Sequence, residues 1–170
     1  FLDISNRLSE LWKQGSIGTI SENHLYTETS KILQISIEEV NNMMNDIWTE
    51  YLGELNVKLY DYFKNLRPKY KTAILSNSFI GAREKEQDKY KFEDICDFII
   101  YSHEVGISKP NKDIYDLLCK RLELQPNEVI FLDDVKENID SAIEFGIHGI
   151  LFKNTEQSIE DIEFLINSKH

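Results

Sequence analysis

The sequence predicts an α/β protein, a parallel sheet with helices on both faces, preceded by an α-helical bundle. Two observations carry this. From Thr72 onward, short apolar runs (TAILSNS, DFIIYSHEVG, EVIFLDD and HGILF) alternate with segments of helical pattern. Unbroken apolar runs, as opposed to apolar and polar residues in alternation, belong to parallel strands covered on both faces. Before Thr72 the apolar spacing is helical throughout, so the chain divides into a helical domain, residues 1–66, and an α/β domain, residues 67–170. Turns near Gly53 and just before the first strand are the natural boundaries.

Taken in order, Leu8, Leu11 and Trp12 keep helical spacing and stop at Gly15. Thr19 with Glu22 reads as a capping box ahead of a helix carrying Leu25, Ile32 and Leu33, and Ser36 with Glu39 repeats the device. Val40, Met43, Met44, Ile47, Trp48 and Tyr51 then form a broad apolar stripe of the kind that faces a core. A fourth helix runs through Val57, Tyr60, Phe63 and Leu66 until Pro68 ends it. In the α/β part, the charged GAREKEQDKYKF is predicted helical. Ile114, Leu117, Leu118 and Leu122 mark a helix after KPNKD. Ile139, Ala142 and Ile143 mark another, stopped by Gly146, and Ile159, Ile162, Phe164, Leu165 and Ile166 mark the last.

A chain of 170 residues can bury one sizeable core, or a core with a small satellite domain. With 41% hydrophobic and 11% aromatic residues it reads as soluble and globular. No apolar run approaches the roughly 20 residues of a membrane span, and FLDISNRLSELW has no signal-peptide pattern. Cys96 and Cys119 match no metal or redox spacing, and read as reduced thiols in a cytoplasmic protein. A formal net charge of −11 argues against nucleic acid, whose phosphates need clustered Lys and Arg. A small anionic substrate in this field needs a local cationic group such as a metal. No pattern specifies an oligomeric state.

In open α/β sheets, ligands bind beyond the carboxyl ends of the strands. Those ends are Ser76, Asn77 and Ser78, then His103 and Glu104, then Asp133 and Asp134, with Lys109 in the loop after the second strand. A hydroxyl, a lysine and two carboxylates converging on one rim suit a phosphate held beside a divalent cation. Mg²⁺ takes one or two carboxylates, waters and substrate oxygens, and its charge makes adjacent aspartates tolerable. Each residue also has a plainer reading. Ser76 can satisfy backbone at a strand end, Lys109 can be a solvated loop lysine, Asp134 can cap the following helix, and Asn138 can be a helix-surface amide. His24, His103 and His148 carry no assigned role.

This ordered set resembles the haloacid dehalogenase superfamily of hydrolases, in particular the subfamily with a helical cap after the first strand. That subfamily includes the phosphatase domain of soluble epoxide hydrolases and sugar-phosphate phosphatases. ILSNS matches the family's second motif at Ser76, GISKP the third at Lys109, and FLDDVKEN the fourth at Asp133, Asp134 and Asn138. The resemblance implies a Rossmann-like core over residues 67–170 and a four-helix-bundle cap over residues 1–66. It implies a Mg²⁺-dependent phosphatase acting on a small phosphate ester through an aspartyl phosphate. Ser76 and Asn77 would meet the phosphoryl oxygens and Lys109 would offset charge. Asp134 would bind Mg²⁺ directly or through water, with Asp133 and Asn138 in support.

The family's first motif, Asp-x-Asp at the end of the first strand, occurs nowhere in the chain. Phe1-Leu2-Asp3 has Ser5 where the second aspartate belongs, and Asp161-Ile162-Glu163 lies in the final helix. By resemblance, residue 1 falls inside the start of the cap, the first, central strand is absent, and the nucleophile lies N-terminal to the chain in a longer parent protein. Two alternatives remain. A 2-haloacid dehalogenase shares the fold and needs no metal, but its branch usually lacks the paired acids. A non-catalytic binding module would keep the scaffold without the nucleophile.

Overall fold

The computed structural model describes residues 2–168. The acidic remnant read at Phe1-Leu2-Asp3 rests on Phe1 and on the Asp3 side chain, which lie outside the described residues. In chain order the elements are α1 (Leu2–Ser16), α2 (Glu22–Leu33), α3 (Ile37–Leu52), α4 (Val57–Leu66), β1 (Ala73–Ser76), α5 (Ala82–Tyr90), β2 (Phe98–Tyr101), α6 (Ser102–Val105), α7 (Lys112–Leu122), β3 (Ile130–Asp133), α8 (Lys136–Phe145), β4 (His148–Leu151) and α9 (Thr155–Asn167). The fold is mixed α/β. Its sheet occurs as two two-stranded pieces, β1 with β2 and β3 with β4.

Helix starts show what sequence spacing can and cannot resolve. The Ser36–Glu39 capping box forms: the Ser36 hydroxyl accepts from the Glu39 N–H, and the Glu39 carboxylate accepts from the Ser36 N–H. The box expected at Thr19 and Glu22 does not start α2. Ser21 is the N-cap and accepts from the His24 N–H. Thr19 instead donates its hydroxyl and its N–H to the Gln14 carbonyl, finishing the turn that leaves α1. An orphan carbonyl at a helix end competes for the same hydroxyl as an orphan N–H at the next start.

The chain forms two compact units that do not follow the division at residue 66. One comprises the chain up to Leu55 with Leu75–Asp94 and Ile99–Gly106; the other comprises Asn56–Ile74, Ile95–Phe98 and the chain from Ile107. Helix α4 therefore belongs with the second unit.

In the first unit, Leu11, Leu25, Ile32, Val40, Met44, Trp48 and Ala82 form the buried core, and Trp12 stacks on Phe79 against it. The stripe on α3 buries Val40, Met44 and Trp48, half-buries Met43 and Ile47, and leaves Tyr51 42% exposed. Its hydroxyl donates to Glu86, which also accepts from Tyr101. This buried carboxylate is unexpected in so charged a segment. Two phenols supply the hydrogen bonds that water would otherwise give. The last turn of α5 grips the end of α3: the Tyr90 hydroxyl donates to the carbonyls of Leu52 and Gly53, and Lys89 to that of Gly53.

In the second unit, β3 and β4 run parallel, with Leu132 opposite Ile150 and Asp133 opposite Leu151. Helix α8 packs on both strands, α7 packs on α8, and α9 packs on the strands and on α4. Ile114, Tyr115, Leu118, Phe131, Ile139, Ala142 and Ile150 are among its buried residues. Cys96 and Cys119 are free and buried. No helix among the described residues is long and apolar enough to cross a membrane.

Candidate functional site

Strand β3 ends where the ladder still holds it. The Phe152 N–H donates to the Asp133 carbonyl at 2.9 Å, so the backbone that carries the acidic pair is fixed by the residue after β4. From this anchor the two aspartates diverge. Asp133 is buried and both of its oxygens are engaged. Oδ2 accepts from Lys109 Nζ at 2.6 Å, while Oδ1 accepts from the Val135 N–H at 2.8 Å and from Asn138 Nδ2 at 3.0 Å. Asp134 is exposed and forms no ion pair among the described residues. It is not the N-cap of α8 either; Val135 holds that position, with no side-chain cap.

Lys109 is a buried lysine, not a solvated one: its side chain is 9% exposed, against 5% for its partner Asp133. A charge taken this far out of water needs a partner within contact distance. Its ammonium also lies over the Phe131 ring, 5.4 Å from the centroid, where the π face attracts a cation. Phe131 meets Tyr115 edge-on at 5.7 Å. The Tyr115 hydroxyl donates to the Asn138 carbonyl at 2.7 Å, and burial together with the Asp133 charge pushes the phenol up to about 12. Asn138 is thus a buried bridge and not a helix-surface amide.

Ser76 and Asn77 lie at the end of β1 in the first unit, Ser76 half-buried and Asn77 exposed. The next residue, Ser78, is buried and tied down. Its N–H donates to Ser102 Oγ at 2.9 Å, and its own hydroxyl is hydrogen-bonded to His103 Nδ1 at 2.7 Å. Ser102 Oγ in turn donates to the Ser16 carbonyl at 2.9 Å. Burial lowers the His103 pKa, since a charged imidazolium would lose its water there. Gly18 closes this cluster: its φ is +67°, and a Cβ on it would lie 1.7 Å from the His103 carbonyl oxygen.

The structure therefore brings Lys109, Asp133 and Asn138 into one bonded group with Asp134 exposed beside it. Sequence reasoning missed Tyr115 and Phe131, and it placed Ser78 and His103 at strand ends without the bond between them. The first two read as plain core residues, and the last two find each other 25 positions apart.

The haloacid dehalogenase-like hydrolase family profile matches residues 8–146, well over half of the chain. The chain belongs to this family. Of characterised relatives, this hydrolase-family chain is 27% identical over 127 residues to D-ribitol-5-phosphate phosphatase of Bacteroides thetaiotaomicron, covering 71% of this chain and 62% of that protein. It is 34% identical over 98 residues to bifunctional epoxide hydrolase 2 of Mus musculus, covering 55% of this chain and 18% of that one. It thus spans less than two thirds of either relative. Among solved structures, a haloacid dehalogenase family enzyme from Bacteroides thetaiotaomicron in a magnesium complex superposes with a TM-score of 0.76. That match covers 90% of this chain and 79% of that one at 22% identity, and shows the shared fold.

At the end of β3 the donor chemistry leaves one of the two carboxylates, Asp134, open to a hard cation. Among the described residues no group of three or more His, Cys, Asp or Glu side chains is placed to hold a metal. Mg²⁺ does not require such a cage, because it keeps several waters and takes the rest of its oxygens from one or two carboxylates and a phosphate. Asp134 fits as that carboxylate. The charge and lone pairs of Asp133 are already engaged by Lys109, Val135 and Asn138.

Proposed function

We propose that this chain belongs to a Mg²⁺-dependent phosphatase acting on a small phosphorylated metabolite. The observation that carries the reading is the division of labour at the end of β3: a buried Asp133–Lys109 pair beside an exposed Asp134. Similarity to a polyol-phosphate phosphatase, and to a fold solved with magnesium in another family member, supports it.

In this reading Asp134 holds the cation directly or through water, and Asp133 and Asn138 fix the backbone and side chains around it. Bound Mg²⁺ would supply positive charge to the phosphoryl oxygens. Lys109, neutralised at rest by Asp133, offers its ammonium to charge on the phosphate and on the attacking group. In the same reading, Ser76 and Asn77 would give hydrogen bonds to phosphoryl oxygens, as the motif resemblance implies. The gain comes from positioning and from charges set in advance. These 170 residues contain no Asp-x-Asp, and the reading gives none of their aspartates the attacking role.

The test uses the natively expressed protein, a generic phosphate ester and assays of released phosphate with and without Mg²⁺. Metal-dependent release that falls at least about a hundredfold in Asp134→Ala is expected. Undiminished release in that variant sinks the metal role. Metal-independent halide release from a 2-haloacid would replace the reading with a dehalogenase. Binding of phosphate without turnover would replace it with a binding module.

A further inference from the structure

Helix α8 carries two polar side chains three residues apart, Asn138 and Ser141, which a helix places on one face. Asn138 grips Asp133, as described. Ser141 donates its hydroxyl to the Pro110 carbonyl at 2.6 Å, in the loop that carries Lys109. One turn beyond, Glu144 pairs with Lys112 at 3.0 Å at the far end of the same loop. That pair is exposed and contributes little. The hydroxyl contact is short and directional.

We infer that Ser141 and Tyr115 are positioning residues that set where the Lys109 ammonium sits, by tying its loop and its carboxylate partner to the same helix. The inference rests on the phosphatase reading, in which Lys109 meets the phosphate.

The attraction between Lys109 and Asp133 fixes a distance but not a path. Coulombic force has no preferred direction, and the lysine stem has four rotatable carbons, so the ammonium could reach Asp133 from many loop positions. The hydrogen bond one residue on, at Pro110, removes that freedom. Tyr115 does the same from the other side. Its hydroxyl holds the Asn138 carbonyl, and its ring packs edge-on against the Phe131 ring that lies under the ammonium. The circuit from Tyr115 through Asn138, Asp133, Lys109 and Phe131 closes on itself, and Ser141 fastens it to the loop backbone. A misplacement of about 1 Å in such a group can lower turnover by about a hundredfold.

The experiment pairs two readouts in the natively expressed protein and in Ser141→Ala, Ser141→Thr and Tyr115→Phe. One is the acetylation rate of Lys109 by acetic anhydride, read by peptide mass spectrometry against exposed Lys120. The other is the split of kcat and KM for Mg²⁺-dependent phosphate release. Ser141→Ala is expected to raise Lys109 acetylation several-fold and to lower kcat by about tenfold, with KM within about twofold of the parent. Ser141→Thr restores both. Parental lysine reactivity and parental kcat in both Ser141→Ala and Tyr115→Phe would overturn the inference while leaving phosphatase activity intact. If no protein, the parent included, releases phosphate, the phosphatase reading fails. Unchanged Lys109 reactivity across the variants would then overturn the positioning claim separately.

Discussion

The ends of β1 and β3 are both held by networks buried from water, but they are built from different chemistry. At β3 the central link is a full ion pair, Lys109 with Asp133, with a neutral amide and a backbone N–H filling the remaining lone pairs. At β1 no formal charge is needed: the Ser78 N–H, two serine hydroxyls, a neutral imidazole and the Ser16 carbonyl share the bonds. The difference matters because a charge deprived of its partner inside a protein is far costlier than a hydroxyl deprived of one. The β3 end is therefore brittle toward single deletions. At the β1 end a lost bond is spread over neighbours that remain.

The sharpest way to break this contrast is Lys109→Met, which strands the Asp133 carboxylate. It should destabilise the protein by about 3–5 kcal/mol in chemical denaturation, and pairing it with Asp133→Leu should recover much of that loss. An effect of the size of a single neutral bond would mean that water reaches Asp133 and that the two strand ends are alike. Ser78→Ala at β1 should cost about 1 kcal/mol by the same measurement, since only a neutral hydrogen bond and its geometry are lost. The smallest effect is expected from pH. Burial depresses the folded-state pKa of His103. Its contribution to stability is thus fully present above the unfolded value of about 6.5 and is lost as pH falls through the folded value. His103→Gln should flatten that part of the stability–pH curve. A curve unchanged by the substitution would show that the imidazole keeps its water.

What the sequence reveals of these two ends follows from how local each interaction is. Ser36 and Glu39 are three residues apart and their capping box is legible, whereas Thr19 has two helix ends within reach and the nearer carbonyl takes its hydroxyl. The strand cores of β1 to β4 are visible as apolar runs, although each is only four residues long and the small polar residues that follow lie outside it. The grouping of Lys109, Asp133 and Asn138 is legible by motif. That the first aspartate is consumed by the lysine and the second left exposed is not, because adjacent residues in a strand and its turn point apart and only the fold says which way. Glu86 is invisible for the opposite reason. Nothing in AREKEQDKY distinguishes the one acid that two distant phenols will enclose.

The grip of α5 on the end of α3 has a dynamic consequence. A free helix terminus frays because its last carbonyls are equally content with water. Here the Leu52 and Gly53 carbonyls are held by Tyr90 and Lys89. The final turns of the two helices should therefore open together, so that amide hydrogens in both exchange with solvent at one shared rate, as a single cooperative patch.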